Sequence, residues 1–344
     1  MPRRLSLALL AVFAAAPVLT AQSPSPWEAE IKRRAQAVTP QVVAWRRDIH
    51  EHPELGNRET RTAGIIAAHL RSLGLEVRTG VATTGVVGVL RGGKPGPSVA
   101  LRADMDALPV TEEVNLPFKS VVRTEYNGQQ VGVMHACGHD NHVAILLGTA
   151  TVLAGMKDKL PGTVTFLFQP AEEGPPAGEA GGAAVMIAQG AIDNPKVEAV
   201  FGLHVRPGRA GEVGYHAGGA MAGSNGISIV VHGKQTHGAV PWGGIDPVVV
   251  SAQVINGLQA IVSRQMNLAL APAVLTIATI HGGVRGNIIP DSVVMTGTLR
   301  MFDETMQKDI QARIRRTVTE TAAAWGATAT VLITPGSPVL VNDP

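Results

Sequence analysis

The segment Met134-His135-Ala136-Cys137-Gly138-His139-Asp140-Asn141-His142 sets the chain's only cysteine among histidines, just before a long apolar run of helical character. A thiolate and an imidazole on a turn entering a helix can point at one position in space, and together they suit a borderline-soft divalent cation. A buried thiol among incidental histidines is the plainer reading of the same segment, and donors elsewhere weigh against it. Cys137, His139, Glu173 and His204 supply sulfur, nitrogen and oxygen of the kinds that zinc, manganese, cobalt or nickel accept. The neighbours Glu172 and Glu173 can divide the work, one ligating while the other takes a proton from water. Asp104 and Asp106 stand two apart where a strand ends, so both can face one side and orient a ligating imidazole through its second nitrogen. His50, His52, His135 and His142 are weaker candidates, His142 as a support for the ligands on the helix after the Cys137 turn.

The elements that must position these groups follow from periodicity. Helical spacing covers residues 27–50, 60–73, 141–156 and 181–189, and apolar runs of strand length cover 85–90, 98–102, 163–168 and 199–205. That alternation predicts an α/β sheet flanked by helices. Three of the strands run into Asp104 and Asp106, into Glu172 and Glu173, and into His204, and open α/β sheets gather ligands outside strand carboxyl ends. From about residue 226 the order becomes strand 227–232, helix 247–264, strands 273–281 and 292–302, helix 304–325 and strand 328–334. This β-α-β-β-α-β order predicts a ferredoxin-like α+β module inserted beside the first domain. The glycine-rich stretch 218–226 is the expected hinge.

Composition excludes other classes. The chain has 344 residues, 45% of them hydrophobic, which is ample for two cores. Its 29 basic and 27 acidic residues leave a formal charge of +2 without a basic cluster, and aromatics are only 3%, so neither phosphate attraction nor base stacking argues for nucleic acid. Met1-Pro2-Arg3-Arg4, an apolar run at 5–19 and a polar Ser-Pro stretch predict a signal peptide over 1–21, export to the periplasm or outside, and no membrane association after its removal. In an oxidising compartment a lone cysteine is buried, paired between chains or held by metal. The last of these fits Cys137 best.

Four blocks occur in one order: Leu101-Arg102-Ala103-Asp104-Met105-Asp106-Ala107-Leu108-Pro109, the His135 to His142 block, Gln169-Pro170-Ala171-Glu172-Glu173-Gly174, and Gly286-Asn287-Ile288-Ile289-Pro290-Asp291. On these the chain resembles metal-dependent amidohydrolases of the aminoacylase and carboxypeptidase-G-like metallopeptidase clan, especially hippurate hydrolases and hydrolases of indole-acetyl amino acid conjugates. The resemblance runs from about Val42 to the C-terminus. It implies a di-metal exopeptidase-like catalytic domain with a mixed sheet at 27–220, and a lid and dimerisation domain at 221–334. It implies Cys137, His139, Glu173 and His204 as ligands of two divalent metal ions and Glu172 as the acid/base. It further implies that His237 of the lid stabilises the oxyanion from the partner subunit of a homodimer, and that Asn287 and Arg300 hold the substrate carboxylate. The expected reaction is hydrolysis of the amide of a small N-acyl or N-aroyl amino acid by metal-activated water.

The last histidine is His281, and the chain stops at Asn342-Asp343-Pro344. The resemblance expects residues 335–344 to begin a return to the catalytic domain and a further ligand histidine beyond them, so a fragment or a truncated gene is expected, with one metal under-coordinated. The competing expectations are a non-catalytic remnant holding a single zinc and a dipeptide-cleaving exopeptidase of the same clan.

Overall fold

The computed structural model describes residues 27–344, so the expected signal peptide lies outside the described residues. The chain divides into two compact units, Met1–Gly208 and Arg209–Pro344.

The first unit runs α1 (Glu28–Glu51), α2 (Thr60–Ser72), β1 (Glu76–Val81), β2 (Gly85–Arg91), β3 (Lys94–Asp104), β4 (Arg123–Tyr126), β5 (Gln129–Gly132), α3 (His139–Ala154), β6 (Pro161–Gln169), α4 (Gly182–Ala188) and β7 (Ala199–Gly202). Its sheet has the order β1-β2-β6-β3-β7. β1, β2 and β6 pair antiparallel, whereas β3 runs parallel to both β6 and β7. The sheet is therefore mixed. β6 alternates little because both of its faces are covered, and Phe166 and Phe168 have no exposed surface. Burying each contributes roughly 1.5–3 kcal/mol. α3 is apolar on nearly every side for the same reason, with Val143, Leu146, Leu147 and Ala150 in one core with α2's Ile66 and Leu70. β3 and β6 end together at the Asp104–Gln169 pair, and the neighbouring β7 ends at Gly202, opposite Arg102. Residues 203–205, expected within the last of these strands, lie beyond its end, because pairing with β3 stops at Gly202.

The second unit contains β8 (Gly218–Met221), β9 (Gly223–His232), β10 (Thr236–His237), α5 (Pro247–Ala260), β11 (Ala273–Gly282), β12 (Ile288–Ile289), β13 (Ser292–Met301), α6 (Glu304–Ala324), β14 (Thr328–Pro335) and β15 (Leu340–Asn342). The order β11-β13-β9-β14, antiparallel throughout, is the ferredoxin-like arrangement. α6 buries Met306, Ile310, Ile314, Val318 and Ala322, a four-residue spacing that makes one stripe. Asp303 caps it through the amide of Met306 at 2.6 Å, and Asp246 caps α5 through Val248 at 2.8 Å. Gly297 is required on β13, where a Cβ would meet the Thr276 carbonyl oxygen at 1.9 Å beside the bulge between Ile277 and Thr279.

Two expectations of organisation change. The glycine-rich stretch 218–226 is not a loop: it forms β8 and the start of β9. β8 pairs with β15, so residues 340–342 belong with the second unit, which begins at Arg209 rather than after 220. Among the described residues no helix is long and apolar enough to cross a membrane.

Candidate metal centre

β3 delivers the acidic groups. Its last residues alternate, so Arg102 and Asp104 share a face, and Arg102 donates to Asp104 Oδ2 at 2.6 Å and to Gln169 Oε1 at 2.9 Å. Asp104 and Asp106 are both buried. Burial alone raises a carboxyl pKa, but hydrogen bonding by His142 and the charges of Arg102 and His139 outweigh it and hold Asp104 well below the usual carboxylate range.

The Cys137 turn delivers sulfur and nitrogen. Gly138, at φ 85°, precedes α3 in the left-handed region, and a Cβ there would strike Val205 at 2.5 Å. Glycine lets the turn close on the segment that carries His204. Cys137 Sγ consequently lies 3.6 Å from His204 Nε2. The Nδ1–H of His204 donates to its neighbour's carbonyl, Val205 O, at 2.6 Å, so the Nε2 lone pair faces the sulfur. The network likewise assigns tautomers to the other two rings. His139 donates from Nδ1 to Asp106 Oδ1 at 3.2 Å, and its buried Nε2 has no hydrogen-bond partner. His142 donates from Nδ1 to Asp104 Oδ1 at 2.5 Å and accepts the Val205 N–H on Nε2 at 2.9 Å. Asp104, His139 and His142 thus cluster without making a ligand set, because His142 has no free nitrogen. Its work is to anchor the chain next to His204.

The loop after β6 delivers oxygen. Glu172 Oε2 and Glu173 Oε1 each lie 3.9 Å from His139 Nε2. The Glu173 N–H donates to Asp106 Oδ2 at 2.9 Å, so Asp106 fixes the imidazole with one oxygen and the glutamate loop with the other. Cys137, His139 and His204 offer donor atoms all within 4.8 Å of one another, and so do His139, Glu172 and Glu173.

The charges fit a divalent cation. Burial, followed by Glu173, Glu172 and Asp104, pushes the Cys137 thiol up to about 12. A cation inverts that balance, since a coordinating thiol is deprotonated outright. Burial lowers His139, yet Asp106 and Asp104 raise it overall. An orphaned imidazole nitrogen, a second lone pair aimed at sulfur and two flanking carboxylates are the donors a borderline-soft metal takes. Glu172 is raised, first by burial and then by Asp104, towards the range of a working acid/base.

The other candidates lie elsewhere. His50 bridges Asp140 at 2.9 Å and Glu112 at 3.1 Å, Arg46 meets Asp140 at 2.7 Å, and His52 is exposed beside Asp48. His135 is buried with both ring nitrogens unpartnered, and burial lowers it to about 4, leaving it neutral. In the second unit, His237 on β10 pairs with Ile288 on β12, and Gly238 donates to the Asn287 carbonyl at 2.9 Å, so His237 and Asn287 share a corner. That corner lies beyond Ser292, the first residue of β13, whereas Arg300 sits near the other end, paired with Ser224. The run of strand between them spans roughly 26 Å at about 3.3 Å per residue. One chain does not bring Arg300 to His237. The reading of residue types had missed Arg102, Asp140, Glu112 and Glu59, whose partners are distant in sequence; only the i, i+2 spacing of Arg102 and Asp104 was a local signal.

A mixed α/β sheet whose strand ends carry carboxylates beside a thiol and imidazoles is the framework of a metal-dependent hydrolase. The model of the peptidase family M20/M25/M40 matches residues 100–344. Thermostable carboxypeptidase 1 of Saccharolobus solfataricus is 42% identical over 318 residues, 92% of this chain and 77% of that protein. IAA-amino acid hydrolase ILR1-like 2 of Arabidopsis thaliana is 41% identical, covering 95% of this chain and 73% of its own. The solved structure of Bacillus subtilis YXEP, described as a dinuclear metal binding peptidase from the M20 family, superposes with a TM-score of 0.74 at 36% identity, over 90% of this chain and 77% of that one. The chain belongs to peptidase family M20/M25/M40.

Proposed function

We propose that the protein hydrolyses the amide bond of N-acyl or N-aroyl amino acids, with Cys137, His139, Glu173 and His204 holding divalent cations and Glu172 moving the proton. Bound cations supply Lewis acidity towards the amide carbonyl and acidify water at the site. The observation that carries the reading is His139 Nε2, buried and unpartnered, with Glu172 and Glu173 both 3.9 Å away. Asp106 keeps the proton of His139 on Nδ1, and Asp104, through His142, anchors Val205 beside His204. Glu172, raised by burial, accepts a proton from water and returns it to the leaving amine. Zinc, manganese, cobalt and nickel all suit the donor set, and since the one free lone pair of His139 serves a single cation, a second ion draws on Cys137, His204 and the glutamates.

His237 serves as the oxyanion donor and Asn287 with Arg300 as the carboxylate clamp. An amino acid places its carboxylate within a few ångströms of the scissile amide, far less than the roughly 26 Å of strand that separates Arg300 from the His237 corner. Two chains must therefore contribute to one substrate if both roles hold, which supports a homodimer formed through the second unit. The sequence at 1–21 supports export.

Loading the full chain with each metal and assaying hippurate, N-acetyl amino acids and dipeptides tests the reading. Amino acid release from the acylated substrates, lost on chelation and regained with metal, is the expected result. Glu172→Gln is expected to bind metal as wild type does and to lose about 10²- to 10⁴-fold in kcat; unchanged turnover in that variant overturns the assignment.

A further inference from the structure

Consecutive residues of an extended chain point to opposite sides, yet Glu172 and Glu173 both reach His139 Nε2. A turn at Ala171 makes this possible. Ala171 is a non-glycine residue at φ 48°, in the left-handed region that L-residues disfavour. What holds it there is Glu59, the residue before α2. The Glu59 carboxylate, with no exposed surface, accepts the Ala171 N–H on Oε1 at 2.8 Å and the Thr84 hydroxyl on Oε2 at 2.6 Å.

The same short segment clasps the rest of the 170–181 loop. A Cβ on Gly56 would lie 2.7 Å from the Gly174 carbonyl oxygen, so only glycine permits that approach. Asn57, itself at φ 59°, donates to Glu179 Oε2 and to the Ala180 carbonyl at 3.0 Å each, and Arg58 reaches Glu179 with two nitrogens. Residues 56–59 thus hold the start, middle and end of the loop. Of these contacts, the one at Ala171 is adjacent to the reacting carboxylates.

We propose that Glu59 is a positioning residue of the hydrolytic site, fixing through Ala171 the turn that presents Glu172 and Glu173 together to His139. This rests on the reading of Glu173 as ligand and Glu172 as proton carrier. Glu59 touches no substrate or metal. Without its carboxylate the Ala171 N–H is left unpartnered in a buried position and the residue relaxes towards negative φ, carrying both glutamates away from the imidazole.

Three variants of the full chain test this, each followed by Co2+ affinity against a competing chelator, by kcat and KM for hippurate, and by thermal unfolding. Glu59→Gln keeps both contacts, since its carbonyl oxygen still accepts from Ala171 and its amide donates to a Thr84 hydroxyl that now accepts. It is expected to stay within about threefold of wild type, the usual effect of a supporting contact that is kept rather than lost. Glu59→Leu is expected to lose about 10- to 100-fold in Co2+ affinity, with kcat falling and KM little changed. Glu59→Asp keeps the charge but is one methylene too short to span both partners, so it falls between the two and decides the matter if the leucine variant does not fold. Folded Leu and Asp variants that hold Co2+ as tightly as wild type overturn the proposal, and so does a Gln variant as impaired as Leu. A wild-type protein that binds Co2+ without hydrolysing hippurate or N-acetyl amino acids refutes the activity, while the Co2+ affinities of the variants still decide the role of Glu59.

Discussion

The two units bury different things. Among the described residues of the second unit, the buried polar side chains are Asn225 and Ser251, and its core is otherwise Ile, Val, Leu, Met and Ala drawn mainly from four strands and the stripes of α5 and α6. The first unit buries five carboxylates, Glu59, Asp104, Asp106, Glu112 and Asp140, and four imidazoles, His50, His135, His139 and His142. Arg46 and Arg102 compensate two of these acids from the rim, but Glu172 and Glu173 add two more, and after burial itself these glutamates and Asp104 push the Cys137 thiol further up. Burying charge without a partner costs several kcal/mol. A domain built only to be stable has no reason to carry it. Stability in the second unit is thus a matter of area and pairing, and in the first it is tied to what neutralises the strand-end cluster.

A change in the apolar unit has the largest expected effect and sharpens this contrast. Leu299→Ala removes a fully buried side chain of β13 and is expected to cost about 2–5 kcal/mol. Hydrogen exchange of the β9 and β13 amides should report that loss equally with and without zinc, and a loss that depends on zinc breaks the comparison. Next comes Asp106→Asn. The new amide can accept from Glu173 only by turning its NH2 towards His139 Nδ1, which drives the ring proton to Nε2 and removes the free lone pair. Metal affinity is expected to fall about 10- to 100-fold, with the exchange of β9 and β13 unchanged; chelator competition measures the first and hydrogen exchange the second.

The smallest effect is a pH dependence in the first unit. His69 packs edge-on to Trp45 and bonds Thr151, and burial lowers its pKa from 6.5. An unfolded chain binds that proton more readily than the folded one, so stability is lost as pH falls below about 6.5 and is recovered above it. In His69→Gln that part of the slope disappears. Denaturant midpoints at pH 7.5 and 5.5 compare the two, and parallel slopes in variant and wild type refute the assignment.

Most of the architecture was legible in periodicity. The four-residue stripe of α6, the alternation of β9 and the β-α-β-β-α-β order needed no partner to be recognised, because each follows from the burial of one face. Short elements were missed for the opposite reason. β8 and β15 have little pattern of their own and exist only because they meet. Glycines at 218–226 read as a hinge, yet β9 admits them since main-chain pairing asks nothing of a side chain.

By itself the sequence determined which donors stand on one turn and which strand ends carry acids, since residue type and spacing fix what can ligate. Tertiary structure alone decided which imidazoles are free to do so. His139 and His142 lie three apart on one helix, and nothing local separates them. Asp106 leaves one ring a buried, unpartnered nitrogen, whereas Asp104 and the Val205 amide occupy both nitrogens of the other. A lone pair is available only when no distant donor has claimed it, and those donors arrive from other strands.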